Sequence, residues 1–168
     1  MKKLYITDIE GNGLYDTITQ FHCAWICDYK TKEWWGFLPH QLEEYCNKLA
    51  EADVVIGQNI IDFDCPALAK LNKLLKTKSV FDTIVLSRIL EPDRLVGHSL
   101  KAWGKALEIL KGEYGEEENA WEVFTEAMFE YCKQDVAVTV ALFEHLCKLA
   151  GFDPEDPPCV EIKWDEFS

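Results

Sequence analysis

Positive charge is scarce in this 168-residue chain. Its 17 Lys and Arg face 30 Asp and Glu, a formal net charge of −13. Such an acidic surface repels phosphate backbones at long range and argues against a nucleic-acid partner held by bulk electrostatics. Long apolar runs are missing too. The run at residues 4–6 stops short of Asp8, too short for a secretory leader, and nowhere do the roughly 18 consecutive apolar residues of a membrane span occur. Neither the 9 glycines and 6 prolines nor any internal repeat suits a collagen or solenoid. The seven cysteines (23, 27, 46, 65, 132, 147 and 159) are odd in number and scattered, without zinc-ligand spacing. They read as small core residues in a reducing cytoplasm, with Cys23 and Cys27 on one sheet face. What remains, at 48% hydrophobic residues, suffices for one folded domain burying roughly 70% of its unfolded surface.

Apolar and polar residues alternate over 2–9, and a turn, Gly11-Asn12-Gly13, follows. Residues 18–29 and 33–38 read as two more strands joined by a hairpin, and 54–57 as a short buried strand. Helices are expected over 40–52, after Pro66, from an Asp82 cap to Pro92, and from a Ser99 cap over 100–107. A glycine- and glutamate-rich loop covers 111–119. Trp121, Phe124, Met128, Tyr131, Asp135, Val138, Leu142, Leu146 and Leu149 then step at helical intervals, marking one long helix or two abutting ones stopped by Gly151 and Pro154. Strands followed by helices imply a mixed sheet covered by helices. We expect a domain over 1–151 and an acidic, proline-containing tail over 152–168. In that tail Val160, Ile162 and Trp164 alternate with charged residues, as an added edge strand, a partner-docking peptide or a disordered end would allow.

Carboxylates supply the chemistry. Asp8 and Glu10, two apart at a strand end, point to one sheet face. Asp64 lies just past a buried strand and before a proline-started helix, with Asp62 as a rival that spacing alone does not separate. Asp135 sits on an apolar helical stripe, one turn after Tyr131. Each alone also suits a solvated strand end, a helix cap or a satisfied buried acid. If the four converge, their repulsion forces protonation unless cations enter. Two hard divalent cations, Mg²⁺ or Mn²⁺, match four carboxylates and suit phosphodiester hydrolysis.

Asp8-Ile9-Glu10-Gly11-Asn12-Gly13-Leu14 resembles the first motif of the DnaQ-like 3′–5′ exonucleases, Asn59 with Phe63-Asp64 the second, and Tyr131-Cys-Lys-Gln-Asp135 the third in its tyrosine form. The histidine form would place His at position 130, which is Glu. Over roughly residues 3–150 the chain most resembles the proofreading domain of family A DNA polymerases of T-seven-like phages. Phe21-His22-Cys23, Asp64-Cys-Pro-Ala-Leu, Asp82-Thr-Ile-Val-Leu-Ser-Arg88, His98-Ser-Leu-Lys-Ala-Trp-Gly104 and Lys111-Gly-Glu-Tyr114 add to the likeness. No polymerase follows here, and the tail has no counterpart in the pattern.

The resemblance implies a ribonuclease H-like α/β fold with a five-stranded mixed sheet flanked by helices. It implies that Asp8, Glu10 and Asp135 hold the metal that activates water, that Asp8 bridges to a second metal supported by Asp64, and that Tyr131 orients the nucleophile. Leu14 would wedge against the terminal base, Phe63 would stack on the 3′ nucleotide, the amides of the Gly11–Leu14 turn would lie near its sugar, and Asn59 would be a further substrate-binding residue. Ordinary packing is an equal account of Leu14 and Phe63. Lys133 reads as a surface lysine or a phosphate contact, and His98 as structural or a substrate contact. The expected substrate is a single-stranded or frayed DNA 3′ end, released as nucleoside monophosphates. RNA or short oligonucleotides, or an accessory role centred on binding a polymerase, are the alternatives. A separate polymerase or replication protein is a candidate partner through the tail. The expected setting is the cytoplasm, a host's if the chain is phage-encoded.

Overall fold

Two faces of one sheet are covered because β1 (Leu4–Gly11) buries both of its own. Leu4 and Ile6 face one way, and Tyr5, Thr7 and Ile9 the other, each set meeting a different apolar cluster. The computed structural model describes residues 2–71, 77–109 and 119–163. The strands are β1, β2 (Phe21–Asp28), β3 (Trp34–Phe37), β4 (Val54–Gly57), β5 (Thr77–Asp82) and β6 (Val160–Lys163). They lie in the order β3-β2-β1-β4-β5-β6. The β1–β4 and β4–β5 pairs are parallel, and the others antiparallel.

Helix α1 (Leu42–Ala50), entered through a single 3₁₀ turn, and α2 (Cys65–Leu71) cover the Tyr5–Ile9 face through Tyr45, Leu49 and Leu68. The opposite face lies under α3 (Thr83–Leu90) and the 25-residue α5 (Glu126–Ala150), whose Val136 and Phe143 meet Leu4, Ile6 and Ile56. Helix α4 (Leu100–Ala106) packs on the outside of α5 through Trp103 and Leu142. Caps set the helix ends: Asp82, Ser99 and Thr125 each accept a backbone N–H, and Gly151 ends α5 at φ 76°.

The expected α/β architecture is present, with one correction: the sheet has six strands, not five. Val160 pairs with Val80 and Ile162 with Lys78, and the Ile162 side chain packs against the core. The alternation in the tail is therefore that of an edge strand. β5 gives no sequence signal, since only Val80 and Phe81 are apolar and its polar start lies near the sheet edge. The 121–149 periodicity also runs ahead of the helix. Trp121 and Phe124 precede Thr125, and their contacts with Phe129 and Tyr131 imitate another helical turn. The 18–29 strand is shorter than expected because residues 12–20 form a turn, in which Asn12 Oδ1 accepts the N–H groups of Thr19 (2.9 Å) and Gln20 (3.0 Å).

Six cysteines are buried and Cys159 is exposed. No described helix is long and apolar enough to cross a membrane. Of the loop expected over 111–119, residues 111–118, with the Lys111–Tyr114 stretch, lie outside the described residues, as does Trp164.

Candidate metal centre

The C-terminal ends of the parallel strands β1, β4 and β5 form one edge of the sheet, where sites of α/β proteins ordinarily assemble. Asp8 and Glu10 end β1 on the face that α5 covers. From α5 comes Asp135, 6% exposed. The three are close enough for Asp8 and Asp135 to push the Glu10 carboxyl well above its ordinary value, after burial, the larger cause. Glu10 also shares a hydrogen bond with Asp8.

Asp64 reaches the cluster by a different route. After β4 the chain turns through Asn59, at φ 59°, into one wide π turn, Ile60–Asp64. That turn sends Asp64 inward, 2% exposed, and leaves Asp62 exposed. The two share no face, because the segment is helical and not extended. Burial first, then the charges of Asp8 and Asp82, hold the Asp64 carboxyl well above its usual range. Its Oδ2 is buried without a hydrogen-bond partner. A buried carboxylate oxygen with nothing to accept from is costly unless a cation is the missing partner.

Sequence reasoning assigned Asp82 a cap and missed its second task. Its Oδ1 accepts the N–H of Ile84 (3.0 Å), capping α3, and that of Asn59 (2.9 Å), while Oδ2 accepts the N–H of Ile61 (3.1 Å). One buried acid thus ties the turn that aims Asp64 to the start of α3. Asp82→Ala is expected to cost about 1–2 kcal/mol of stability, the range of a lost cap. It is also expected to lower activity more than stability alone explains. Denaturant midpoints and metal-dependent turnover, compared with Asp62→Ala as the exposed control, check this.

The remaining candidates fall into place unevenly. Tyr131 is half-buried one turn before Asp135, its ring edge-on to Trp121 at 5.9 Å between centroids. The carbonyl of Trp121 accepts from His22 Nε2 at 2.7 Å, which fixes the loop carrying that indole. Leu14 is 77% exposed on the turn after β1, so core packing does not account for it. Phe63 is half-buried and packs partly on the core. Gly11 is buried where any Cβ would collide with Ile18, so close packing already requires glycine there. Asn59 is suited to its left-handed backbone. Lys133 lies over the rings of Trp25 and Trp34, and His98 Nδ1 is 2.6 Å from Ser87 Oγ, so both have structural partners.

Two groups beneath the acids were not foreseen. Tyr45 is fully buried and hydrogen-bonded to Thr7 Oγ1 at 2.8 Å; burial and then Asp64 raise its hydroxyl well above the usual range. Cys132 is buried, its Sγ 3.5 Å from the Asp8 carbonyl oxygen. Its Sγ and one carboxylate oxygen from each of Asp8 and Glu10 lie within 4.8 Å of one another. The signal existed in the sequence: 132 and 135 are three apart and share a helical face.

Clustered carboxylates that resist ionising when bare, with a buried acceptor lacking a partner, fit a divalent cation better than any other occupant. Asp8, Glu10, Asp64 and Asp135 could hold it.

Known proteins agree with that chemistry. Residues 6–150 match the family model described as 3′–5′ exonuclease. The chain is 32% identical to the DNA-directed DNA polymerases of Escherichia phage T7 and Enterobacteria phage T3, with 98% of this chain and 29% of each polymerase covered. It therefore spans less than a third of the length of those relatives. Among solved structures, one described as the apo form of the nuclease superposes with a TM-score of 0.64 at 20% identity, covering 86% of this chain and 72% of that one. Phi29 DNA polymerase complexed with single-stranded DNA superposes at 0.59 with 12% identity, covering 91% and 32%. At such identities these two speak for the fold alone. The match over residues 6–150, on a chain whose paired β1 acids face an α5 aspartate, settles the family: this chain belongs to the 3′–5′ exonucleases.

Proposed function

We propose that the chain hydrolyses single-stranded or frayed DNA from the 3′ end, releasing nucleoside monophosphates, with Mg²⁺ or Mn²⁺ at the four acids. The observation that carries this reading is the set Asp8, Glu10, Asp64 and Asp135, in which burial and then neighbouring acids hold the Glu10 and Asp64 carboxyls from ionising, a cost that cations would offset. Bound there, the cations supply an acidified water and charge stabilisation for the attacking and leaving oxygens. Asp8, Glu10 and Asp135 would hold one cation, and Asp64 would support the second. Tyr131, whose ring packs edge-on against Trp121, would orient the attacking water. Leu14, exposed on the turn after β1, would wedge against the terminal base, and Phe63 would stack on the 3′ nucleotide, with Asn59 a further substrate contact. Apolar contacts of this kind tolerate any base, as a non-specific single-strand nuclease requires.

The domain over 1–151 is catalytic in this reading. The acidic tail over 152–168, of which Val160–Lys163 forms β6 at the sheet edge, is in this reading the docking element for a separate polymerase or replication protein. The preferred role is proofreading during phage DNA replication in the host cytoplasm.

The test is a digestion series with Mg²⁺ or Mn²⁺ on 3′-labelled single-stranded DNA, duplex with a mismatched 3′ end, and RNA. Label release as mononucleotide, fastest from single-stranded DNA, is expected. An intact oligonucleotide in the presence of folded protein overturns the reading, and faster RNA cleavage redirects it. Tyr131→Phe is expected to lower turnover by about 10- to 100-fold, the scale of a misplaced reactant, with little change in KM.

A further inference from the structure

A thiol stands beside the acid pair. Cys132 is wholly buried on the face of α5 that also carries Asp135, and Cys23 of β2 shares a hydrogen bond with it. We propose that Cys132 is a direct ligand for thiophilic divalent cations, so that Zn²⁺, Co²⁺ or Cd²⁺ is held by Asp8, Glu10 and the Cys132 sulfur together. The inference rests on the reading of the acids as a cation site and adds a donor to it.

Two independent observations support it. The Cys132 Sγ and the Asp8 and Glu10 carboxylate oxygens lie within 4.8 Å of one another. In a tetrahedral shell with bonds of about 2.0–2.3 Å, donors stand roughly 3.5 Å apart. The gap left to close is therefore on the order of 1 Å. The second is Asp64 Oδ2, buried without a hydrogen-bond partner on an acid that feels the Asp8 charge, so the neighbourhood of Asp8 lacks a positive partner.

Donor chemistry then separates the cations. Mg²⁺ takes hard oxygen donors in an octahedral shell and ignores a thiol. Zn²⁺, Co²⁺ and Cd²⁺ accept sulfur readily, and the thiol gives up its proton as the bond forms. Such ions therefore compete with Mg²⁺ for Asp8 and Glu10 with an advantage that the four carboxylates alone do not confer.

The test is optical and needs no substrate. One equivalent of Co²⁺ is added to the full chain under reducing conditions, and the absorption spectrum is recorded. The expected result is a near-ultraviolet sulfur-to-cobalt charge-transfer band together with visible ligand-field bands. Cys132→Ala and Cys132→Ser are expected to lose the charge-transfer band and keep the ligand-field bands. Cys23→Ala and Cys159→Ser are expected to keep both. Ligand-field bands without charge transfer in the wild-type chain overturn the proposal while leaving the acid site standing. A charge-transfer band that survives both Cys132 variants also overturns it, since another thiol is then the ligand. Neither band in the wild-type chain removes the cation site itself, and with it the reading beneath. If both Cys132 variants fail to fold, cadmium NMR of the wild-type chain decides. A resonance in the sulfur-ligated range supports the proposal, and one in the all-oxygen range overturns it.

Discussion

Asp8→Asn is expected to abolish hydrolysis and, without metal, to make the protein more stable. The charge of Asp8 is felt by Glu10, Asp64 and Cys132 alike. It therefore occupies the middle of the cluster, where a ligand shared between two cations would sit. Removing its charge weakens both cation positions at once. Metal stabilisation of a phosphoryl transition state is worth several kcal/mol. A loss of about 4 kcal/mol is a drop of roughly 10³-fold in rate at 1.36 kcal/mol per decade. The same substitution relieves repulsion in the metal-free chain, because Glu10 and Asp64 then ionise beside an amide and not beside a carboxylate. One unit of relieved carboxylate shift corresponds to about 1.4 kcal/mol, or about 3–5 °C in Tm for a domain of this size. Steady-state turnover with Mn²⁺ and thermal melts in chelator check the two halves. A variant that lost activity by unfolding would melt lower, so an inactive protein with a raised Tm separates the two accounts. Unchanged turnover would move the site away from β1.

What was legible in the sequence follows how local its cause is. The Asp8–Glu10 pair is fixed by the two-residue repeat of a strand, and Tyr131–Asp135 by the turn of a helix. Both were readable from spacing, and the structure keeps each pair on one face. Asp64 was different, since Asp62 and Asp64 would share a face in a strand and part only in a helical turn. That turn depends on Asp82 accepting amides from 21 and 23 residues away, a tie that no local window contains. The sixth strand was visible as alternation in the tail, but its partner was not, because β5 carries little pattern of its own. The net charge of −13 misled in one respect. Counted over the chain it opposes a polyanion, whereas the acids that matter face inward and reverse their meaning once cations join them.

The metal-free chain should become less stable as pH rises above the ordinary carboxylate range, near 4, and Mn²⁺ should remove that slope. Glu10 and Asp64 both have folded-state carboxyls held above the ordinary value by burial and by neighbouring acids. Between the unfolded carboxylate range, near 4, and those raised values, the native state binds more protons than the unfolded one. Stability therefore falls as pH increases through the window. The opposite case, Asp156, whose carboxyl is lowered by Lys2, loses its favourable effect only as pH falls below the unfolded value, outside the window. Cations bind the ionised acids, so their stabilisation grows over the same interval in which the bare cluster weakens. At 100 times its Kd a ligand adds about 2.7 kcal/mol, or roughly 5–11 °C in Tm for this size. Melting curves at several pH values, in chelator and in Mn²⁺, give the comparison directly. The lines should diverge as pH rises, with the chelated Tm descending. In Asp64→Asn the chelated line should flatten, because one of the two protonated acids is gone. A chelated Tm that rises with pH across this range would mean that Glu10 and Asp64 ionise freely, and the case for a cation-requiring cluster would fail with it.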